Sequence, residues 1–211
     1  MKAKLLLTVC CMSFSLLASA QVSGGRINRN KVTSKKTSKA SNLTIKNIDW
    51  SIVKSEDISL IQDDLNKASD YLSHLSSDAS YIGERPYVQS LLSSDITNVN
   101  ISELALLRKV RSIQVKSYGI FSYDYFNCRF INKDQTTFFK KTTGSQRKSG
   151  YLYRSDNNRL IFIGGWSVND EPLSEYNSDN SVIGSLYKLS SGKVIMLFWE
   201  GNGFEIYEFS K

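Results

Sequence analysis

Apolar residues recur along this chain with two different periods, and the change between them divides it. Over Ser55 to Leu75 the positions Ile58, Ile61, Leu65, Ala68, Leu72 and Leu75 step by three and four, which predicts one amphipathic helix with a single apolar stripe. Ser55 is the expected N-cap, with Glu56 and Asp57 in the first turn, where the helix dipole favours acids. Gly83-Glu84-Arg85-Pro86 interrupts the pattern, and Pro86 is placed to open a short second helix through Leu92. Asn100 to Glu103 has capping-box spacing ahead of Leu104 and Leu107 and predicts a third helical turn.

From about Lys109 the period falls to two. Val110, Ser112 and Gln114 alternate with Arg111, Ile113 and Val115; within Tyr123 to Asn132, Phe126, Cys128 and Phe130 oppose Tyr125, Asn127, Arg129 and Ile131. Similar runs follow at Thr136 to Thr142, Ser149 to Ser155, Arg159 to Gly164, Val182 to Leu189, Val194 to Trp199 and Phe204 to Phe209. Each is short, aromatic or β-branched, and closed by Gly, Asn, Asp or Ser. Ser190-Ser191-Gly192-Lys193 and Asp156-Asn157-Asn158 have the composition of hairpin turns. The expected fold class is α+β, mostly β. N-terminal helices, one long and one or two short, pack on an antiparallel meander of about eight strands, closed or nearly closed into a barrel because closure removes exposed edges. The longest gap between strands, Trp166 to Ser181, is polar and holds Asp170, Glu171, Glu175 and Asp179.

The first residues follow neither period. Lys2 and Lys4 precede the apolar stretch Leu5 to Ala18, and Ala18-Ser19-Ala20 supplies small residues for cleavage, so 1–20 is expected to be a secretory signal peptide. The stretch is too short and too diluted by Thr8, Ser13 and Ser15 for a membrane span, which takes about 20 apolar residues. Acylation at Cys10 or Cys11 is the other processing route, with few apolar residues ahead of it. A soluble periplasmic or secreted protein beginning near Gln21 is expected, with no transmembrane segment after cleavage.

Composition changes the picture once. The chain has a net charge of +7, which invites a nucleic-acid reading. However, Lys2, Lys4, Arg26, Arg29, Lys31, Lys35, Lys36 and Lys39 account for eight of its 27 basic residues and fall where there is no acid. Residues 45–211 therefore carry 19 bases against 20 acids, and a phosphate-tracking groove is not expected. Residues 21–44 read as a basic, disordered leader, too poor in apolar residues to fold, with attraction to anionic lipid or wall polymers as the sharper alternative. Residues 45–211 read as a single helix-plus-barrel domain, large enough to need no staples. Cys128 is the lone thiol after signal removal, so no intramolecular disulfide is expected and burial is.

Tyr125-Phe126-Asn127-Cys128-Arg129-Phe130, then Thr143-Gly144-Ser145-Gln146-Arg147 and Gly150, resemble an uncharacterised family of exported Gram-negative bacterial proteins, a domain of unknown function. The resemblance continues through Tyr153, Gly164, Tyr176, Gly184 and Glu208-Phe209, covering about Trp50 to Lys211. Lys109-Val110-Arg111 departs from it, where an aromatic-Arg-Cys-Arg run is expected; if members of the family pair two cysteines, this chain cannot. The resemblance implies export and a periplasmic location, and no activity.

Chemistry-bearing residues are sparse. His74 is the only histidine, at the end of the first helix, where the helix dipole accounts for it. One His and one Cys leave a zinc site short of ligands. A Cys128–His74 nucleophile pair is disfavoured because Cys128 shares the core face with Phe126 and Phe130, where a thiol ionises poorly. The acids of the Trp166 to Ser181 loop lack the spacing of a calcium loop. No metal site and no cofactor are expected. Gly144 permits a tight reversal, after which Ser145, Gln146 and Arg147 present a hydroxyl, an amide and a five-donor fork suited to a carboxylate or amide. Ser145, Gln146, Arg147 and Arg129 are the candidate binding residues; the alternative is a structural pairing of Arg129 or Arg147 with Glu205 or Glu208. The function expected is a non-catalytic periplasmic binding protein for a protein or envelope ligand, with an immunity-type inhibitor of a cell-wall-acting toxin as one form. The alternative is a periplasmic enzyme acting on envelope material through loop carboxylates and Arg147.

Overall fold

The computed structural model describes residues 42–155 and 158–211. The expected signal peptide and residues 21–41 of the leader lie outside the described residues, as do Asp156 and Asn157 of one expected turn. The α-helices are α1 (Ser55–Ile61), α2 (Asp64–Ser73), α3 (Arg85–Leu92) and α4 (Ile101–Leu104), with short 3-10 turns at Trp50–Ile52 and Ile82–Glu84. The strands are β1 (Lys46–Asn47), β2 (Ile96–Thr97), β3 (Lys109–Lys116), β4 (Gly119–Ser122), β5 (Phe126–Lys133), β6 (Thr136–Lys141), β7 (Gln146–Arg154), β8 (Leu160–Val168), β9 (Ser181–Leu189), β10 (Val194–Glu200) and β11 (Gly203–Ser210).

The stripe read as one long helix is two. Asp63 adopts a left-handed conformation (φ 53°) that ends α1 and restarts the chain as α2. Lys54, not Ser55, holds the N-cap position of α1 and makes no capping bond. Asn100 caps α4 as expected, its side chain accepting from the Ser102 N–H at 3.1 Å, but Glu103 leaves the box and meets Lys188 Nζ at 2.5 Å.

β3, β5, β6, β7, β8, β9, β10 and β11 pair in that order, each antiparallel to the next, and β11 returns to β3 from Gly203↔Lys116 to Ser210↔Lys109. The barrel is closed. β4 lengthens one wall: β3 gives its first two residues to β5 and its last four to β4. The lumen is filled by Val110, Phe130, Phe139, Leu152, Phe162, Leu186, Met196 and Tyr207, with Leu104 and Leu107 packed against them. Each such side chain contributes about 1.5–3 kcal/mol by leaving water. Outward residues of β3, β10 and β11, among them Ile113, Ile195 and Ile206, are buried too, under Ala68 and Leu72 of α2 and Val88 and Leu91 of α3. The wall is therefore apolar on both faces where helices cover it. At one crossing the strands approach so closely that glycine is required: a Cβ on Gly150 would lie 2.6 Å from Gly164 Cα.

Candidate binding site at the barrel mouth

Apolar packing in the lumen stops at Lys148 on β7. Its ammonium bonds Glu205 of β11 and reaches Glu200 of β10 at 2.8 Å; Glu200 also takes Lys116 of β3 at 3.0 Å, and the Ser112 hydroxyl donates to Glu205. Lys148 also lies 4.9 Å from the centroid of Phe198 and 5.2 Å from that of Tyr207. Burying the Glu205 carboxylate with the Lys148 ammonium is tolerable only because each has a partner, while Glu200 stays half-buried. Burial opposes the charge on Lys148, but Glu205 and Glu200 overcome it and raise its pKa. Burial likewise opposes ionisation of Glu200, yet Lys148 and Lys116 hold its carboxyl down at about 2. Lys148 is thus held as an ammonium.

Beside this charged layer a cavity of about 380 Å³ opens at the barrel end formed by the start of β7, the end of β8, the start of β9 and the end of β10. Gln146, Lys148, Trp166 and Glu200 line it, with Arg147 and Trp199 also on its wall and Asp57 reaching it from α1. Arg147 donates from Nη2 to the Glu171 carbonyl at 2.8 Å, while its Nε has no hydrogen-bond partner among the described residues; neither has Trp199 Nε1. No described acid forms an ion pair with Arg147. Asp57 accepts from the Tyr176 hydroxyl and likewise has no cationic partner among the described residues.

Of the four residues expected to bind, Gln146 and Arg147 meet in this cavity. Ser145 lines a shallower groove with Gly144 and Asp170, and Arg147 borders both concavities. Gly144 makes the turn at φ 91°. Arg129 stands exposed on the outer face of β5, opposite Lys140, and lines neither. Glu205 and Glu208 take neither expected arginine: Lys148 holds Glu205, while Glu208 accepts from Arg111 (2.7 Å), Lys193 (2.6 Å) and the Tyr87 hydroxyl (2.6 Å) beneath α3. Cys128 is buried in the lumen, its thiol pushed up to about 12 by burial. His74 is at the C-terminal end of α2 beside Asp70. Of the acidic loop, Glu171 accepts from the Val168 N–H, Asp170 lines the groove with Arg147, and Glu175 lines a separate cavity.

Sequence reasoning missed Lys148, Glu200, Trp166, Trp199 and Asp57. A signal existed for the first: Lys148 shares the inward face of β7 with Gly150 and Leu152, and a lysine on a core face needs an acid across the lumen. Comparison with family models finds a match over residues 50–198 to a domain of unknown function, DUF4893. The chain belongs to this family. The DUF4893 match takes in Asp57, Gln146, Arg147, Lys148 and Trp166 and stops at Phe198, ahead of Glu200 and of the strand that closes the barrel. No curated protein and no solved structure matches the chain.

Proposed function

We propose that this DUF4893 protein is an exported, non-catalytic binding protein whose barrel mouth receives a small carboxylate-bearing ligand such as a peptide terminus. The carrying observation is Arg147: a guanidinium in a concave site, without an ion pair among the described residues and with Nε unpartnered. Lys116 and Lys148 are balanced by Glu200 and Glu205 below it, so the Arg147 charge is left for a guest. Trp166, 38% exposed and lining the cavity, offers a ring face to the ligand's body. Asp57 provides an acid for an ammonium on the same ligand.

Non-catalysis is favoured because Lys148 is locked as an ammonium and Cys128 is a buried, poorly ionised thiol. The enzymatic alternative needs two loop acids in one cavity with Arg147; in the two concavities described above that Arg147 lines, Asp170 is the one loop acid. Export rests on the signal-like N-terminus.

Calorimetric titration with N-acetylated amino acids and dipeptides tests the reading, each compared with its C-terminally amidated form. Saturable binding that amidation abolishes is expected, with ligand recovered unchanged. Arg147→Ala is expected to weaken it by about 2 kcal/mol, roughly 30-fold. Binding indifferent to amidation or to Arg147→Ala would discard the reading.

A further inference from the structure

A groove of about 300 Å³ opens beside β4, against the 3-10 turn Ile82–Glu84, and shares no lining residue with the cavity at the barrel mouth. Tyr81, Phe121 and Tyr123 give it three rings, and Glu84 and Ser122 give it a polar side. The Tyr81 and Phe121 rings meet edge to face with centroids 5.6 Å apart, and Tyr118 extends the cluster, its centroid 5.6 Å from that of Phe121. Tyr81 is 70% exposed, Tyr118 60% and Tyr123 47%. Contiguous exposed rings of this kind mark an interaction surface.

The backbone beneath the rings is fixed, and fixed at a cost. Ser80 bridges to β4: its N–H donates to the Tyr118 carbonyl at 2.9 Å, and its carbonyl accepts from the Ile120 N–H at 3.0 Å. The approach is so close that a Cβ on Gly119 would lie 2.7 Å from the Ser80 carbonyl oxygen. The next residue, Tyr81, holds φ 55°, in the left-handed region that bulky side chains rarely adopt. The other non-glycine residues at positive φ among those described are Asp, Asn or Gln. Burial returns little of this cost, because the Tyr81 ring stands mostly in water. A strained tyrosine displayed where Asn would fit more easily points to a role outside the chain.

Charge and hydrogen-bonding capacity select the partner. The Glu84 carboxylate is half-buried, accepts from the Ser122 hydroxyl at 3.3 Å and forms no ion pair among the described residues, so the groove favours a basic group. An ordinary extended peptide laid across the rings would turn some of its N–H groups against them. Proline has no N–H, and a proline-rich chain is already ordered as polyproline II, the form that aromatic-lined grooves take up. An anionic membrane would be repelled by Glu84, and a glycan would find few polar groups beside the rings. We propose that this groove docks an extended proline-rich segment carrying an arginine or lysine, with prolines seated among Tyr81, Phe121 and Tyr123 and the cation on Glu84.

The test is a ¹H–¹⁵N titration of the purified protein with an oligoproline peptide bearing one central arginine, acetylated and amidated so that it offers no carboxylate to Arg147. Saturable shifts are expected at the amides of Tyr81 and of residues 119–123. The same peptide with glutamate for arginine, or with alanines for its prolines, is expected to bind at least about ten-fold more weakly. Glu84→Gln is expected to erase the preference for arginine over glutamate. Tyr81→Asn is expected to weaken binding at least about ten-fold while keeping the melting temperature at or above the parent's, since Asn accepts the left-handed region. Arg147→Ala, at the mouth, is expected to change nothing. Absence of a saturable shift at millimolar peptide, indifference to charge or to proline, undiminished binding by Tyr81→Asn, or a melting temperature of that variant below the parent's overturns the proposal. So do shifts of the same amides on diluting the protein alone, which would assign the face to a second copy of the chain. Shifts with cellohexaose and none with the peptide would assign it to a glycan and overturn it equally.

Discussion

Arg147 and Lys148 are neighbours with opposite fates, because alternation along β7 turns one to the rim and the other into the lumen. Lys148→Met strands Glu205, which is 2% exposed, and should cost about 3–5 kcal/mol in chemical denaturation. Arg147→Ala removes a bond to one loop carbonyl and should cost about 1 kcal/mol. Comparable losses in both variants would contradict the division. Glu200 sets a pH dependence. Its carboxyl ionises at about 2 in the fold against 4.5 for the unperturbed group. A depressed acid stabilises fully above its unfolded pKa and loses that contribution as pH falls through the folded one. Denaturation midpoints should therefore fall between about pH 4.5 and pH 2, and less steeply in Glu200→Gln.

At the scale of elements, the break between α1 and α2 concentrates backbone cost in one residue. Asp63 holds φ 53°, a region that is unfavourable for side chains other than Gly, Asn or Asp, and its carboxylate accepts from Asn66 Nδ2 at 2.6 Å. Asp63→Gly keeps the backbone freedom and should leave thermal stability close to the parent. Asp63→Val, branched at Cβ, should be about 1–2 kcal/mol less stable than Asp63→Gly. Equal stabilities would mean that the corner relaxes out of the left-handed region. The break also separates two acids: α1 brings Asp57 to the barrel mouth, while α2 carries Asp64 to the cavity lined by Trp50, Arg159 and Tyr187.

For the whole molecule, closure and cover decide stability together. β11 is paired on both sides, to β10 and β3, so deleting Gly203–Lys211 should abolish cooperative unfolding rather than lower its midpoint. At the other terminus, contacts begin before residue 45. Leu43 packs on the lumen cluster and the Thr44 carbonyl accepts from the Thr137 hydroxyl at 2.6 Å. Removing residues 21–41 should leave the melting temperature within about a degree, whereas extending the deletion through Ile45 should lower it measurably. A large drop from the shorter deletion would show that the leader docks.

The chain's own pattern determined the class of the fold, because a period of two commits each strand to two faces whatever its neighbours are. All eight barrel strands were legible, two by that alternation and the rest as short aromatic or β-branched runs closed by turn residues, and Arg147 was legible as a donor fork beside a turn glycine. β4 was not: four residues after a short turn carry too little pattern to separate from β3. The α1–α2 break was invisible because the apolar stripe keeps its phase across Asp63, and only the left-handed backbone interrupts it. The site was half legible. Gln146 and Arg147 were read as turn residues and stand instead at the start of β7, while Glu200, Trp199 and Asp57 come from other elements. Only the closed barrel decides that Lys148 faces Glu205 and that Arg129 points away, since charge pairing across a lumen depends on distances between strands remote in sequence.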